Sequence, residues 1–207
     1  FFMSHLVSNP EESFGQFVSS RSNLLLELEN TAKQEDIPII GPVMGELLYI
    51  LARLSQATRI LELGTAIGYS TLFLGSACVE SGGSVTTLES NPGLAQRARE
   101  NCKRAGLDSH IQVINQDCLE SMDRMSGQEF DLAFLDIDKI YYEQVLDRVS
   151  PLLRKGGILI VDNTGFKEAD GFNQKIYSDP DWMQIQLYSF LPLHSPQWDG
   201  LCLALRT

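Results

Sequence analysis

From Ser13 to about Asp36 the apolar residues Phe14, Phe17, Val18, Leu24, Leu25 and Leu28 recur at helical spacing, which predicts a first helix. A second is predicted over GPVMGELLYILARL (41–54), with Pro42 suited to the first helical position, where its missing N–H costs nothing. From Thr58 the period changes, and short apolar runs alternate with helical segments. The runs are RILEL (59–63), SVTTLE (84–89), HIQVIN (110–115), FDLAFLD (130–136) and ILIVDN (158–163), the last entered through a predicted turn at Gly156 and Gly157. Between them lie helices at GYSTLFLGSACVE (68–80), at the segment opened by Asn91 and Pro92 and closed by Gly106, and at YYEQVLDRVSPLL (141–153). Strands alternating with helices imply a parallel sheet covered on both faces. WMQIQLYSFLPL (182–193) and GLCLALR (200–206) are also strand-like, with a connection too short for a crossover helix, so they should pair antiparallel. The expectation is a Rossmann-like α/β fold with a mostly parallel seven-stranded sheet, an antiparallel C-terminal strand and added N-terminal helices. The chain reads as one domain over 1–207, a helical extension at about 11–55 followed by an α/β core at about 56–207.

Composition narrows this little. With 43% hydrophobic and 21% charged residues the chain is globular in type, and no apolar run suits a membrane span. No basic segment followed by an apolar stretch marks a secretory signal, and the four cysteines form no C-x-x-C pair, so a reducing cytoplasm is expected. The net charge of −11 argues against a nucleic-acid partner.

In open α/β sheets ligands bind beyond the carboxyl ends of the strands, so the residues where strands stop carry the functional signal. The first strand runs into LELGTAIGYS, whose Gly64 and Gly68 allow tight turns against a ligand. The second ends on Glu89, about 25 residues after Gly64 and placed to accept hydrogen bonds from ribose hydroxyls. A dinucleotide fingerprint G-x-G-x-x-G set at Gly64 would need small residues at Ala66 and Tyr69, and tyrosine fits the third place poorly. The fourth strand ends at Asp136 and the fifth at Asp162 and Asn163. If those strands are neighbours, two carboxylates and a carboxamide converge, a donor set for a hard cation such as Mg²⁺. Asp162-Asn163 as a turn and Asp138 as a helix cap are the plainer alternatives. Asp117 is, on its own, a helix cap before CLESM. His5, His110 and His194 show no ligand spacing.

LELGTAIGYST, LESNPGLAQRARENCKRAG, FDLAFLDIDKIYY and GGILIVDN together resemble the class I S-adenosylmethionine (SAM)-dependent methyltransferases, most closely the caffeoyl-CoA and catechol O-methyltransferase branch. The resemblance implies methyl transfer from SAM, leaving S-adenosylhomocysteine, to a hydroxyl oxygen of a small catechol-like or hydroxylated aromatic acceptor. It implies that Glu62, Gly64, Gly68 and Ser70 surround the methionine end of SAM, with Val43 and Met44 closing over it. Glu89 would hold the ribose, Asp117 would stand beside the adenine, Ser90 and Cys118 would belong to the same cofactor site, and Asp136 would serve both cofactor and metal. Asp136, Asp162 and Asn163 would bind the divalent cation, Mg²⁺ with Mn²⁺ or Ca²⁺ as alternatives, and Lys139 beside Asp136 would take the hydroxyl proton. The family's middle glycine is Ala66 here. The segment after Asn163 reads short and polar where the family carries an apolar, tryptophan-bearing stretch; Phe166, Trp182 and Trp198 are the aromatic substitutes on offer. Tyr141 and Tyr142 read as packing residues. Relatives that methylate hydroxylated uridine in tRNA, and a SAM-binding protein without catalysis, are the alternatives. A homodimer is a further implication, with Phe14, Phe17 and Leu24 as a candidate face; packing of that face on its own domain is the alternative.

Overall fold

In the computed structural model, residues 6–125 and 127–207 are described; of the histidines, His5 lies outside them. The chain forms α1 (Pro10–Gly15), α2 (Asn23–Glu35) and α3 (Gly41–Leu54), then β1 (Arg59–Leu63), α4 (Tyr69–Ser81), β2 (Ser84–Leu88), α5 (Pro92–Arg104), β3 (Ile111–Ile114), α6 (Cys118–Arg124) and β4 (Phe130–Leu135). It continues with α7 (Tyr142–Val149), β5 (Leu153–Val161), α8 (Asp170–Ser178), β6 (Trp182–Phe190) and β7 (Trp198–Arg206). The seven strands form one sheet in the order β3-β2-β1-β4-β5-β7-β6. Strands β1 to β5 pair in parallel, and β7 runs antiparallel to both β5 and β6. The expected fold class is what the structure has. Among the described residues no helix is long and apolar enough to cross a membrane.

Side chains alternate across the sheet, as a strand's period of two requires. Ile60, Leu132, Phe134 and Ile160 pack with α3 and α4 residues such as Met44, Leu48 and Leu74. Leu61, Leu63, Ala133, Leu135, Leu159 and Val161 face the opposite layer, where Met122, Tyr142, Val145, Phe172 and Ile176 from α6, α7 and α8 cover them. Each such large side chain, fully buried, contributes about 1.5–3 kcal/mol.

Three local readings need correction. The helix expected over Ser13–Asp36 is two helices, because Ser22 caps a fresh start by accepting from the Leu25 N–H. Phe14 and Phe17 consequently fall outside the packed part and stay exposed, edge to face at 6.3 Å, while Leu24 packs on the core. Gly156-Gly157 is no turn before a strand; β5 already starts at Leu153, and the glycines lie in a bulge where the β4–β5 register shifts. The segment after Asn163 is not merely a polar connection. It holds α8, whose Phe172 and Ile176 are the apolar residues that anchor it, with Asn173 tied to the Thr164 carbonyl.

Candidate active site

The strand order reverses between β1 and β4, the kind of switch point where α/β sheets open a crevice at their carboxyl edge. A cavity of about 580 Å³ lies there. One end is bordered by Gly64, Thr65, Ala66, Tyr69, Ser70, Glu89, Ser90, Asp117 and Cys118; the other by Asp136, Lys139, Tyr141, Asp162, Asn163, Phe166 and His194. Of the residues expected at the cofactor, Glu62, Gly68, Val43 and Met44 do not reach the cavity. Met44 is fully buried in the core and Val43 half-buried, and Pro38, Ile39 and Ile40 just before α3 supply the wall instead.

The glycine-rich turn is fixed by what it touches. Gly64 has φ +97°, and a Cβ there would sit 1.9 Å from the Asp136 carbonyl oxygen, so only glycine lets the β1 exit pass the β4 exit. Ala66 also lies in the left-handed region at φ 45°. Its N–H donates to Glu89 Oε2 at 2.9 Å, and the Asn91 N–H donates to Oε1 at 2.8 Å. Those two bonds pin the carboxylate against the cavity, and each oxygen keeps a lone pair for a ligand hydroxyl. Asp117 is both a cap and a wall residue: Oδ1 accepts from the Leu119 and Glu120 N–H groups at the start of α6. Burial pushes the neighbouring Cys118 thiol up to about 11, so it lines the wall as a neutral group.

Glu62 lies beneath this end, fully buried, accepting from the Thr71 hydroxyl at 2.5 Å, with Oε1 unpartnered among the described residues. Burial pushes its carboxyl up to about 7, only partly offset by the hydroxyls around it. The folded state therefore holds this proton more tightly than the unfolded chain. The associated stability is fully present below about pH 4.5 and is lost as pH rises through about 7. At roughly 1.4 kcal/mol per unit the loss amounts to about 3 kcal/mol. Glu62→Gln is expected to remove this component, so the wild type should lose more stability than the variant between acidic and mildly alkaline buffers. Denaturant unfolding of both across that range measures it; parallel pH profiles would contradict it.

At the other end, β4 and β5 are neighbours, paired up to Leu135 and Val161, so Asp136 and Asp162 emerge side by side. The Asp162 N–H donates to the Leu135 carbonyl at 3.0 Å and the Asp136 N–H to that of Leu63 at 2.9 Å, which locks both exits. Burial first, then the charge of Asp162, raises the Asp136 carboxyl above its usual range. Asn163 turns away with φ 54°, and its Nδ2 donates to Asp199 Oδ2 at 2.6 Å, so its carbonyl oxygen is the free end. Lys139 is half-buried, its Nζ 3.7 Å from Asp136 Oδ1 and 5.6 Å from the Phe166 ring centre. Asp138 accepts from the Ile140 N–H, the cap of a short turn. Tyr142 is a core residue whose hydroxyl donates to the Asp162 carbonyl, whereas Tyr141 is half-exposed and lines the cavity, contrary to the packing role expected of it. Of the three aromatic candidates only Phe166 is on the cavity wall; Trp182 is buried in the core, and Trp198 packs against Tyr188 and Phe190.

Two residues that spacing did not single out stand here as well. The β6–β7 connection folds back over the end of β5 and buries His194, whose Nε2 lies 2.8 Å from Asp162 Oδ2. Burial lowers the imidazole pKa, but the Asp162 bond and charge outweigh it and the net shift is upward. Asp199, at the start of β7, is the buried acceptor that orients Asn163. The sequence carries no signal for them: only the sheet order, with β6 parallel to β5 beyond β7, puts the β6 exit at the ligand edge.

The chain as a whole has similar counterparts among known proteins. A family model described as O-methyltransferase matches residues 16–179. A catechol O-methyltransferase of Niastella koreensis is 33% identical over 161 residues, 73% of this chain and 72% of that protein. The O-methyltransferase from Bacillus cereus, solved in complex with S-adenosylhomocysteine, superposes with a TM-score of 0.84 at 26% identity, covering 95% of this chain and 96% of the other. TomG from Streptomyces achromogenes, an O-methyltransferase of tomaymycin synthesis solved with SAM, gives 0.83 at 25% identity, covering 95% of each. The chain belongs to this O-methyltransferase family.

Proposed function

We propose that the protein transfers the methyl group of SAM to a hydroxyl oxygen of a small catechol-like or other hydroxylated aromatic acceptor, using a divalent cation. The observation that carries the reading is one continuous cavity with Glu89 at its cofactor end and Asp136, Lys139, Asp162 and Asn163 at the other. The donors suit a cation on structural grounds. Among the described residues Asp162 Oδ1 is buried without a partner, two carboxylates stand together, and Asn163 is held with its side-chain oxygen free. Asp136, Asp162 and Asn163 would hold the ion, which would supply Lewis acidity that lowers the pKa of an acceptor hydroxyl.

The protein's own residues do the remainder. Glu89 anchors the ribose diol, so the sulfonium end lies towards Ser70 and Asp136. Phe166 and Tyr141 flank an aromatic acceptor and shed water from it. Lys139, in its neutral amine form, stands where it can receive the hydroxyl proton, as the oxygen attacks the methyl carbon in line and the sulfur leaves as S-adenosylhomocysteine. Incubation with trideuteromethyl-labelled SAM and a catechol, with Mg²⁺ or with a chelator, tests the reading. The expected product is a labelled methyl ether that the chelator suppresses.

A further inference from the structure

Building on the cation reading above, we propose that His194 is a ligand of that ion, giving a mixed imidazole and carboxylate site that favours Mn²⁺ or Co²⁺ over Mg²⁺. The ring is presented for this. His194 Nδ1 lies 2.6 Å from the Pro196 carbonyl, which can only accept, so Nδ1 carries a proton and Nε2 is the nitrogen turned to the site. A backbone carbonyl holding the far nitrogen is the usual means of orienting a metal-bound histidine. Nε2 is 2.8 Å from Asp162 Oδ2, and adjacent ligands of an octahedral ion with bonds of about 2.1 Å stand about 3 Å apart. Ligand atoms of Asp162, His194 and Asp199 all fall within 4.8 Å of one another, and all three residues are buried.

The second indication is independent of the ring. Asp162 Oδ1 is buried and has no hydrogen-bond partner among the described residues, although the carboxylate's other oxygen is bonded, so the His194 contact leaves the group half satisfied. Asp199 is already committed, accepting from Asn163 Nδ2 and the Gly200 N–H, and acts as a positioning residue that keeps the Asn163 oxygen on the ion. The backbone that carries His194 is itself wedged in place: a Cβ at Gly41, where α3 begins, would meet Leu193 and His194 backbone atoms at 2.8–2.9 Å. Imidazole is a good donor to first-row transition ions and a poor one to Mg²⁺, which prefers oxygen.

Electron spin-echo spectroscopy of the purified full chain loaded with Mn²⁺ reads the nitrogen directly. The expected result is nitrogen modulation from one imidazole in the wild type, absent in His194→Gln. The variant should also bind Mn²⁺ at least about tenfold more weakly by calorimetry while Mg²⁺ binding changes little. Bound Mn²⁺ without nitrogen modulation in the wild type would overturn the proposal and leave the Asp136, Asp162 and Asn163 reading standing. Absence of any Mn²⁺ binding would overturn both. The wild-type spectrum decides the matter even if the variant does not fold.

Discussion

Asp162→Asn is expected to lower metal-dependent methyl transfer by at least about a hundredfold, because it takes a charged oxygen ligand from the ion while keeping the shape of the site. Asparagine can still meet His194 with a hydrogen bond, so thermal unfolding should change little. Asp162→Ala is a different experiment. It leaves His194 buried without its partner, and loss of one member of a buried pair costs about 3–5 kcal/mol. For a chain of this size that amounts to a melting temperature lower by roughly 10 °C. Side-by-side turnover and melting of the two variants separates the ligand role from the structural one. Full activity in Asp162→Asn would contradict the assignment of Asp162 to the ion.

The second large effect is expected at Gly64. A methyl group there meets the Asp136 carbonyl oxygen at 1.9 Å, and neither backbone can yield, since β1 and β4 are hydrogen-bonded neighbours up to Leu63 and Leu135. Gly64→Ala should cost at least about 3–4 kcal/mol through clash and strain together. Any folded fraction should bind SAM poorly, because the shift displaces Asp136 and the turn that carries Ala66 to Glu89. Gly82 is the control. It also has positive φ, at +68°, but a Cβ there would meet nothing within 4 Å. Gly82→Ala should therefore cost only about 1 kcal/mol, the price of the left-handed backbone alone. Denaturant unfolding of both variants checks the contrast, and equal effects would contradict it.

These two positions also show where the sequence was readable. Gly64, Glu89, Asp136 and Asp162 sit at the ends of strands whose apolar runs are unambiguous, so the residue after each run was bound to reach the ligand edge. The seven strands and the antiparallel pair were legible for the same reason. Glu62 was harder, because strand alternation turns it into the layer beneath the cavity, and a period of two does not say which face a ligand occupies. Met44 is similar: a helical stripe gives an apolar residue, and packing against Leu48 and the sheet put it in the core. His194 and Asp199 were invisible to spacing because the groups they serve, Asp162 and Asn163, lie more than thirty residues away. Only the insertion of β7 between β5 and β6 brings them together, and short tail strands do not announce their order in a sheet. The helix α8 was missed because two buried anchors, Phe172 and Ile176, make a weak period among polar residues.

The measurement that bears most directly on the whole account is mass analysis of a catechol acceptor after incubation with the purified chain, labelled SAM and a divalent cation. The account predicts one labelled methyl group on a hydroxyl oxygen, S-adenosylhomocysteine in equal amount, and loss of both on chelation. SAM bound by the protein without a labelled product from any hydroxylated acceptor, small aromatic or tRNA, would contradict it.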